Sequence, residues 1–133
     1  MTTVSARTAF ASFIALSLAG LAASPAIASS TSNKWRIEVS EGANSHGYIV
    51  FMVAPEGGEL IEVRVEIDNG TGENKVARKI RDAFERELPG DRFHVEVDDG
   101  EDVLVKKKGK GENFNLTMVS SSVKSVRIDI EKE

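Results

Sequence analysis

The spacing of the apolar residues is the feature that most constrains how this chain can fold. In seven short segments apolar residues alternate with polar ones or form a brief run, which is typical of β-strands. A further segment, between the third and the fourth of these, has apolar residues three and four positions apart, which is the pattern of an amphipathic helix. The sequence therefore predicts an α+β fold in the order βββ-α-ββββ, with one helix packed on a twisted, mainly antiparallel sheet.

The three segments before the helix are close in sequence, which favours an antiparallel meander. The helix is expected over 73–88, with Thr71 or Gly72 as its cap and Pro89-Gly90 as its end. The Asp98-Asp99-Gly100-Glu101 segment predicts a tight hairpin, because Asp-Gly suits a turn with positive φ. The predicted strands are 35–40, 48–53, 60–67, 92–97, 103–105, 114–118 and 126–131. The expected core aromatics are Trp35, Phe51, Phe84, Phe93 and Phe114.

Residues 1–28 have the pattern of a cleaved secretory signal peptide. The apolar stretch over 9–23 is shorter than the roughly 20 residues of a membrane-spanning helix. Small residues in Ala26-Ile27-Ala28 predict cleavage after Ala28, and the alternative is an uncleaved anchor. We then expect a disordered leader over 29–33 and a single α+β domain over 34–133. This predicts a periplasmic or secreted protein, and the style of the signal favours a Gram-negative bacterium.

The net charge excludes several classes of partner, and the cysteine content excludes two kinds of covalent attachment. Removal of residues 1–28 leaves 16 basic and 21 acidic residues, a net charge of −5. Nucleic acids and anionic membranes are themselves negative, so neither is an expected partner. The chain has no cysteine, which excludes disulfides and a lipoprotein anchor. No stable membrane anchor is expected after cleavage.

The sequence offers no catalytic or metal-binding constellation. Its two histidines, His46 and His94, are not accompanied by a nucleophile-elbow serine and are expected to be exposed. Zinc sites need more Cys or His ligands than the chain has. Two oxygen-rich segments, 98–102 and 68–74, are conceivable calcium sites, but hairpin and cap formation explain them. We expect no enzyme and no cofactor; the alternative is a small hydrolase using carboxylates such as Glu96 or Asp98.

The acidic turn over 98–102 and the lysine cluster over 106–110 together suggest a surface for binding another protein. Exposed charge of this kind also serves solubility and protects strand edges. The candidate residues are Asp98, Asp99, Glu101, Asp102, Lys106, Lys107, Lys108 and Lys110.

The layout from about Leu60 to Ile130 resembles a known kind of module. A valine-rich strand ends in Gly-Thr-Gly-Glu-Asn, and an amphipathic helix (KVARKIRDAF) follows. The hairpin FHVEVDDGEDVLVKKKG and the loop and strand GKGENFNLTMVSSS come next. This order is similar to the strand-helix-hairpin modules inserted in bacterial flagellins and in phage tail and adhesin proteins. The resemblance implies a binding or structural role without catalytic residues.

These observations lead to one main functional hypothesis and two alternatives. The main hypothesis is an exported, non-catalytic protein-binding module of the cell envelope, with inhibitor or immunity-type proteins as a subclass. The first alternative is a structural or appendage subunit that assembles through strand edges. The second is the small carboxylate-dependent hydrolase.

Overall fold

A computed structural model of the chain describes residues 30–133. The expected signal peptide and its cleavage site lie outside the described residues. The predicted order βββ-α-ββββ is confirmed. The elements are β1 (Lys34–Ser40), β2 (Gly47–Pro55), β3 (Ile61–Ile67), α1 (Glu73–Glu87), β4 (Phe93–Asp98), β5 (Asp102–Lys107), β6 (Phe114–Ser121) and β7 (Arg127–Lys132).

The strands form two antiparallel sheets rather than one. Four strands pair in the order β4-β5-β1-β7 and three in the order β3-β2-β6. The predicted meander of the first three strands is therefore wrong at β1, which pairs with β5 and β7 and not with β2. The connection over 41–46 crosses from one sheet to the other. It is held against the loop before α1, where the Ala43 N–H donates to the Thr71 carbonyl at 2.8 Å.

The core lies between the two sheets and the helix. All five predicted core aromatics are buried, as the sequence analysis expects. Phe51 packs on Phe84 with ring centroids 5.2 Å apart, and Phe93 meets Phe114 edge-on at 5.1 Å. The indole N–H of Trp35 donates to the Phe114 carbonyl at 2.7 Å, which satisfies the one polar group of that ring.

Helix α1 closes one side of the two-sheet stack. Its buried stripe packs against β3 of the smaller sheet and against β4, β1 and β5 of the larger one. Gly72, which is one of the two predicted caps, is the N-cap. No side chain of the cap residue forms a hydrogen bond with the helix there. The carboxylate of Glu73 instead accepts the Glu41 N–H at 2.9 Å. On the opposite side β6 and β7 approach each other without pairing.

The tight hairpin between β4 and β5 is confirmed. Asp99 and Gly100 have φ of 50° and 80°, so both take the positive φ that the Asp-Gly pair predicts. The connection has three residues, 99–101, where the expected turn has two, so the register places Asp98 opposite Asp102 and not opposite Glu101. The hairpin therefore fixes two of the candidate carboxylates side by side.

Candidate functional site

Two of the predicted acidic residues, Asp98 and Asp102, lie at one end of the outer face of the four-stranded sheet, and Asp99 and Glu101 lie in the turn between them. The strand register sets Asp98 beside Asp102, Asp102 beside Glu38, and Glu38 beside Asp129. Side chains on one face of paired neighbours are about 5 Å apart at Cβ. Four carboxylates therefore form a row across all four strands, which we call the acidic row.

Arg36 on β1 partly neutralises the acidic row. Its guanidinium forms an ion pair with Asp102 and lies 3.5 Å from Asp98. Its Nε donates to a carboxylate oxygen of Glu133 at 2.8 Å. The hydrogen bond to Glu133 raises the pKa of Arg36, and the same bond lowers the pKa of Glu133. Asp102 is only 8% exposed, so this candidate residue is held in a structural contact.

The candidate lysines lie at the other end of β5. Lys106 is on the outer face, with its Nζ 3.0 Å from the carboxylate of Glu96. A carboxylate oxygen of Glu96 also lies 2.8 Å from Nε2 of His94. The hydrogen bond with His94 lowers the pKa of Glu96 most, and the hydrogen bond with Lys106 lowers it further. A strand of six residues spans roughly 17 Å. The predicted charged surface is thus divided into two separate regions.

The remaining lysines lie at the end of β5 and in the β5–β6 connection. The backbone N–H of Lys107 donates to the Asn33 carbonyl at 2.9 Å. The Nζ of Lys108 donates to the Gly90 carbonyl at 2.8 Å. Lys110 lines a shallow depression that includes Arg92. Lys107, Lys108 and Lys110 thus have three different sets of neighbours.

The two histidines occupy exposed surface positions, as the sequence analysis expects. The ring Nδ1 of His46 accepts the Asn69 N–H at 3.2 Å, and His94 lies on the polar face of β4. Within residues 30–133 no three His, Asp or Glu side chains are close enough together to hold a metal ion. Across the same residues, no helix is long and apolar enough to span a membrane.

Strand β6 forms a surface that is not among the predicted sites. It ends the three-stranded sheet, and it has no charged side chain. Met118 and Val119 are 40% and 57% exposed. The signal that could have identified this strand is the segment 113–123, which contains no Asp, Glu, Lys or Arg in a chain with 29% charged residues.

Within residues 30–133, the outer edge of β6 is paired only at its beginning. Ser32 and Phe114 exchange both backbone hydrogen bonds at 2.9 Å, so Ser32, within the segment expected to be a disordered leader, is paired. In an antiparallel ladder every second residue points its N–H and C=O to the same side. Leu116 and Met118 therefore point theirs away from β2, as Phe114 does.

Uncharged residues continue from β6 onto the outer face of the three-stranded sheet. The register sets Asn115 beside Ala54 and Thr117 beside Met52. A register shift opposite Val50 and Phe51 marks a β-bulge near Val119. We call the uncharged surface made by Met52, Ala54, Asn115, Thr117, Met118 and Val119 the neutral edge.

Comparisons of the chain with protein-family models, with curated proteins and with solved structures each give no match.

Proposed function

We propose that this chain is an exported, non-catalytic protein-binding module of the cell envelope, which binds its partner through the neutral edge. A strand of the partner would pair with β6 beyond Ser32 and extend the three-stranded sheet. Backbone hydrogen bonds to Leu116 and Met118 would supply affinity, and contacts with exposed side chains would supply selectivity. An inhibitor or immunity-type role is one form of this function.

The observation that carries the proposal is the difference between β6 and the other three edge strands of the described chain. Proteins commonly protect sheet edges with charged side chains or with a covering element. β3 and β4 contain charged residues and pack against α1, and β7 has charges at four of its six positions. β6 has none. Charge depletion is also characteristic of the buried centre of protein interfaces.

The self-pairing at Ser32 supports the same mode of binding. Its two hydrogen bonds to Phe114 form an antiparallel bridge on the outer side of β6. At Phe114, therefore, the outer backbone groups of β6 already pair with an antiparallel segment. A partner strand in the same register would continue that ladder toward Met118.

The proposal is tested by capturing partners of the C-terminally tagged full-length chain from envelope extracts of its host, followed by mass spectrometry. Val119→Lys adds a charge to the neutral edge, and Leu60→Lys is the matched control, because Leu60 is also apolar and is 66% exposed in the β2–β3 connection. We expect one stoichiometric partner with the wild type and with Leu60→Lys, and at least a tenfold loss with Val119→Lys. Both variants should keep the wild-type melting temperature.

Two results would overturn the proposal: no captured protein, or a partner that Val119→Lys retains in full. The structural-subunit alternative uses the same edge in a different way. If the only captured protein is a second copy of the chain, and Val119→Lys makes it monomeric, the edge assembles subunits instead.

A further inference from the structure

A groove of about 370 Å³ lies at the end of the sheet stack where β2 ends and β6 begins, at the opposite end of β6 from Val119. It is bounded by the β2–β3 turn, the end of α1 and the beginning of β4. Its volume is at the lower end of the roughly 300–1,000 Å³ of ligand sites. The lining residues are Pro55, Gly58, Glu59, Ile61, Glu87, Pro89, Arg92, Phe93 and Glu112.

The apolar part of the groove has two proline walls that are held by hydrogen bonds. The Pro55 carbonyl accepts the Gly58 N–H at 3.1 Å, in a turn where Gly57 has a φ of 70°. That conformation suits glycine because it has no Cβ. The Pro89 carbonyl accepts the N–H groups of Arg92 and Phe93, both at 3.1 Å. The groove is therefore formed before any ligand arrives, which lowers the entropy cost of binding.

The floor and the rim of the groove differ in character. Phe93, which is 5% exposed, and the half-buried Ile61 form an apolar floor. The rim has three carboxylates, Glu59, Glu87 and Glu112, against the guanidinium of Arg92. Within the part of the chain that the structure describes, neither Glu59 nor Glu112 has a cationic side chain within 4.0 Å. The groove thus combines an apolar cavity with a rim of net negative charge.

We propose that this groove binds a basic peptide segment of another protein, in which one large apolar side chain is flanked by Lys or Arg. The apolar side chain packs between Pro55 and Pro89 on the floor, and the flanking cations lie against the carboxylates of the rim. Burial of the apolar side chain supplies most of the affinity, and the charges select the sequence around it. This site does not depend on the neutral edge.

The test is an NMR titration of the ¹⁵N-labelled chain with the end-blocked peptide Lys-Lys-Phe-Lys-Lys. We expect saturable shifts of backbone amides over 57–61 and 92–93. The peptides Lys-Lys-Ser-Lys-Lys and Glu-Glu-Phe-Glu-Glu should bind at least tenfold more weakly, because each lacks one of the two recognised features. Shifts confined to the acidic row, or equal affinity for all three peptides, would overturn the proposal.

Paired variants separate the rim from the overall charge of the protein. Glu59→Gln/Glu112→Gln removes two rim carboxylates, and Glu38→Gln/Glu62→Gln removes two exposed carboxylates elsewhere. The first variant should weaken the peptide about three- to tenfold, as expected for two exposed ion pairs. The second should change the affinity less than about twofold. Equal effects would contradict a rim-specific site. Val119→Lys should leave this affinity unchanged, so failure here is distinguishable from failure of the neutral edge.

Discussion

At the scale of single residues, Arg36 determines how the outer face of the four-stranded sheet can carry so many carboxylates. It contacts Asp98 and Asp102 of the β4–β5 hairpin and Glu133 after β7, which are two distant parts of the sequence. Asp102 is nearly buried, and a buried carboxylate without a partner is strongly unfavourable. The guanidinium therefore stabilises a packing arrangement that the carboxylates alone would oppose.

We predict that Arg36→Gln destabilises the chain more than the double variant Arg36→Met/Asp102→Leu. The single change leaves Asp102 without its counter-charge, whereas the double change removes both charges and keeps apolar volume. Denaturant midpoints of the two variants at pH 7 provide the comparison. A double variant that is less stable than the single one would contradict this role of Arg36.

The same network makes stability depend on pH, and the sign follows from Glu133. The pKa of Glu133 is below its ordinary value of 4.5 in the folded chain, mainly because of its hydrogen bond to Arg36. Its contribution is fully present above the ordinary pKa and is lost as pH falls through the lowered value, because the unfolded chain takes up its proton first. The destabilisation caused by Arg36→Gln should therefore be smaller at about pH 3 than at pH 7.

At the scale of elements, α1 packs on both sheets, and an aromatic contact links it to the smaller one. Phe84 is fully buried and packs on Phe51 of the smaller sheet. We predict that Phe84→Ala lowers the free energy of unfolding by about 3–5 kcal/mol. The exposed helix position Arg86→Ala should change it by less than about 0.5 kcal/mol. Urea unfolding followed by circular dichroism gives both values, and a wild-type midpoint for Phe84→Ala would refute the assigned core face.

The periodicity of the sequence predicts the elements and their buried faces, but it does not predict strand pairing. The alternation over β1 places Ile37 and Val39 inward, yet it carries no information that β5 and β7 are its neighbours. Those contacts join residues more than 60 positions apart. The short connection over 41–46 suggests a hairpin, and the chain instead uses it to change sheets.

The candidate surfaces show the same division between local and long-range information. The Asp-Gly pair correctly predicts a hairpin with positive φ at Asp99 and Gly100, but a two-residue turn would set Asp98 opposite Glu101 and not opposite Asp102. It cannot predict Arg36, which reaches Asp98 and Asp102 only because β1 pairs with β5. The absence of charge over 113–123 is visible in the sequence. Its meaning depends on β6 being an edge strand, and that is a property of the topology.

At the scale of the whole molecule, the two sheets present surfaces of different charge to solvent. The four-stranded sheet exposes the acidic row and the Lys106 region, which favour solubility and repel a second acidic molecule. The three-stranded sheet ends in the neutral edge, where backbone groups of β6 point outward. The chain thus has one side on which another protein can approach without opposing charge, and the proposed function is assigned to that side.

Hydrogen exchange at β6 tests this central claim most directly, with alternate residues of the strand as internal controls. In the free chain the amides of Leu116 and Met118 should exchange faster than those of Asn115 and Thr117, which point toward β2. When the captured partner is added, Leu116 and Met118 should become protected, while amides over 98–102 stay unchanged. Protection over 98–102 with none at Leu116 and Met118 would contradict the account and move the binding surface to the acidic row.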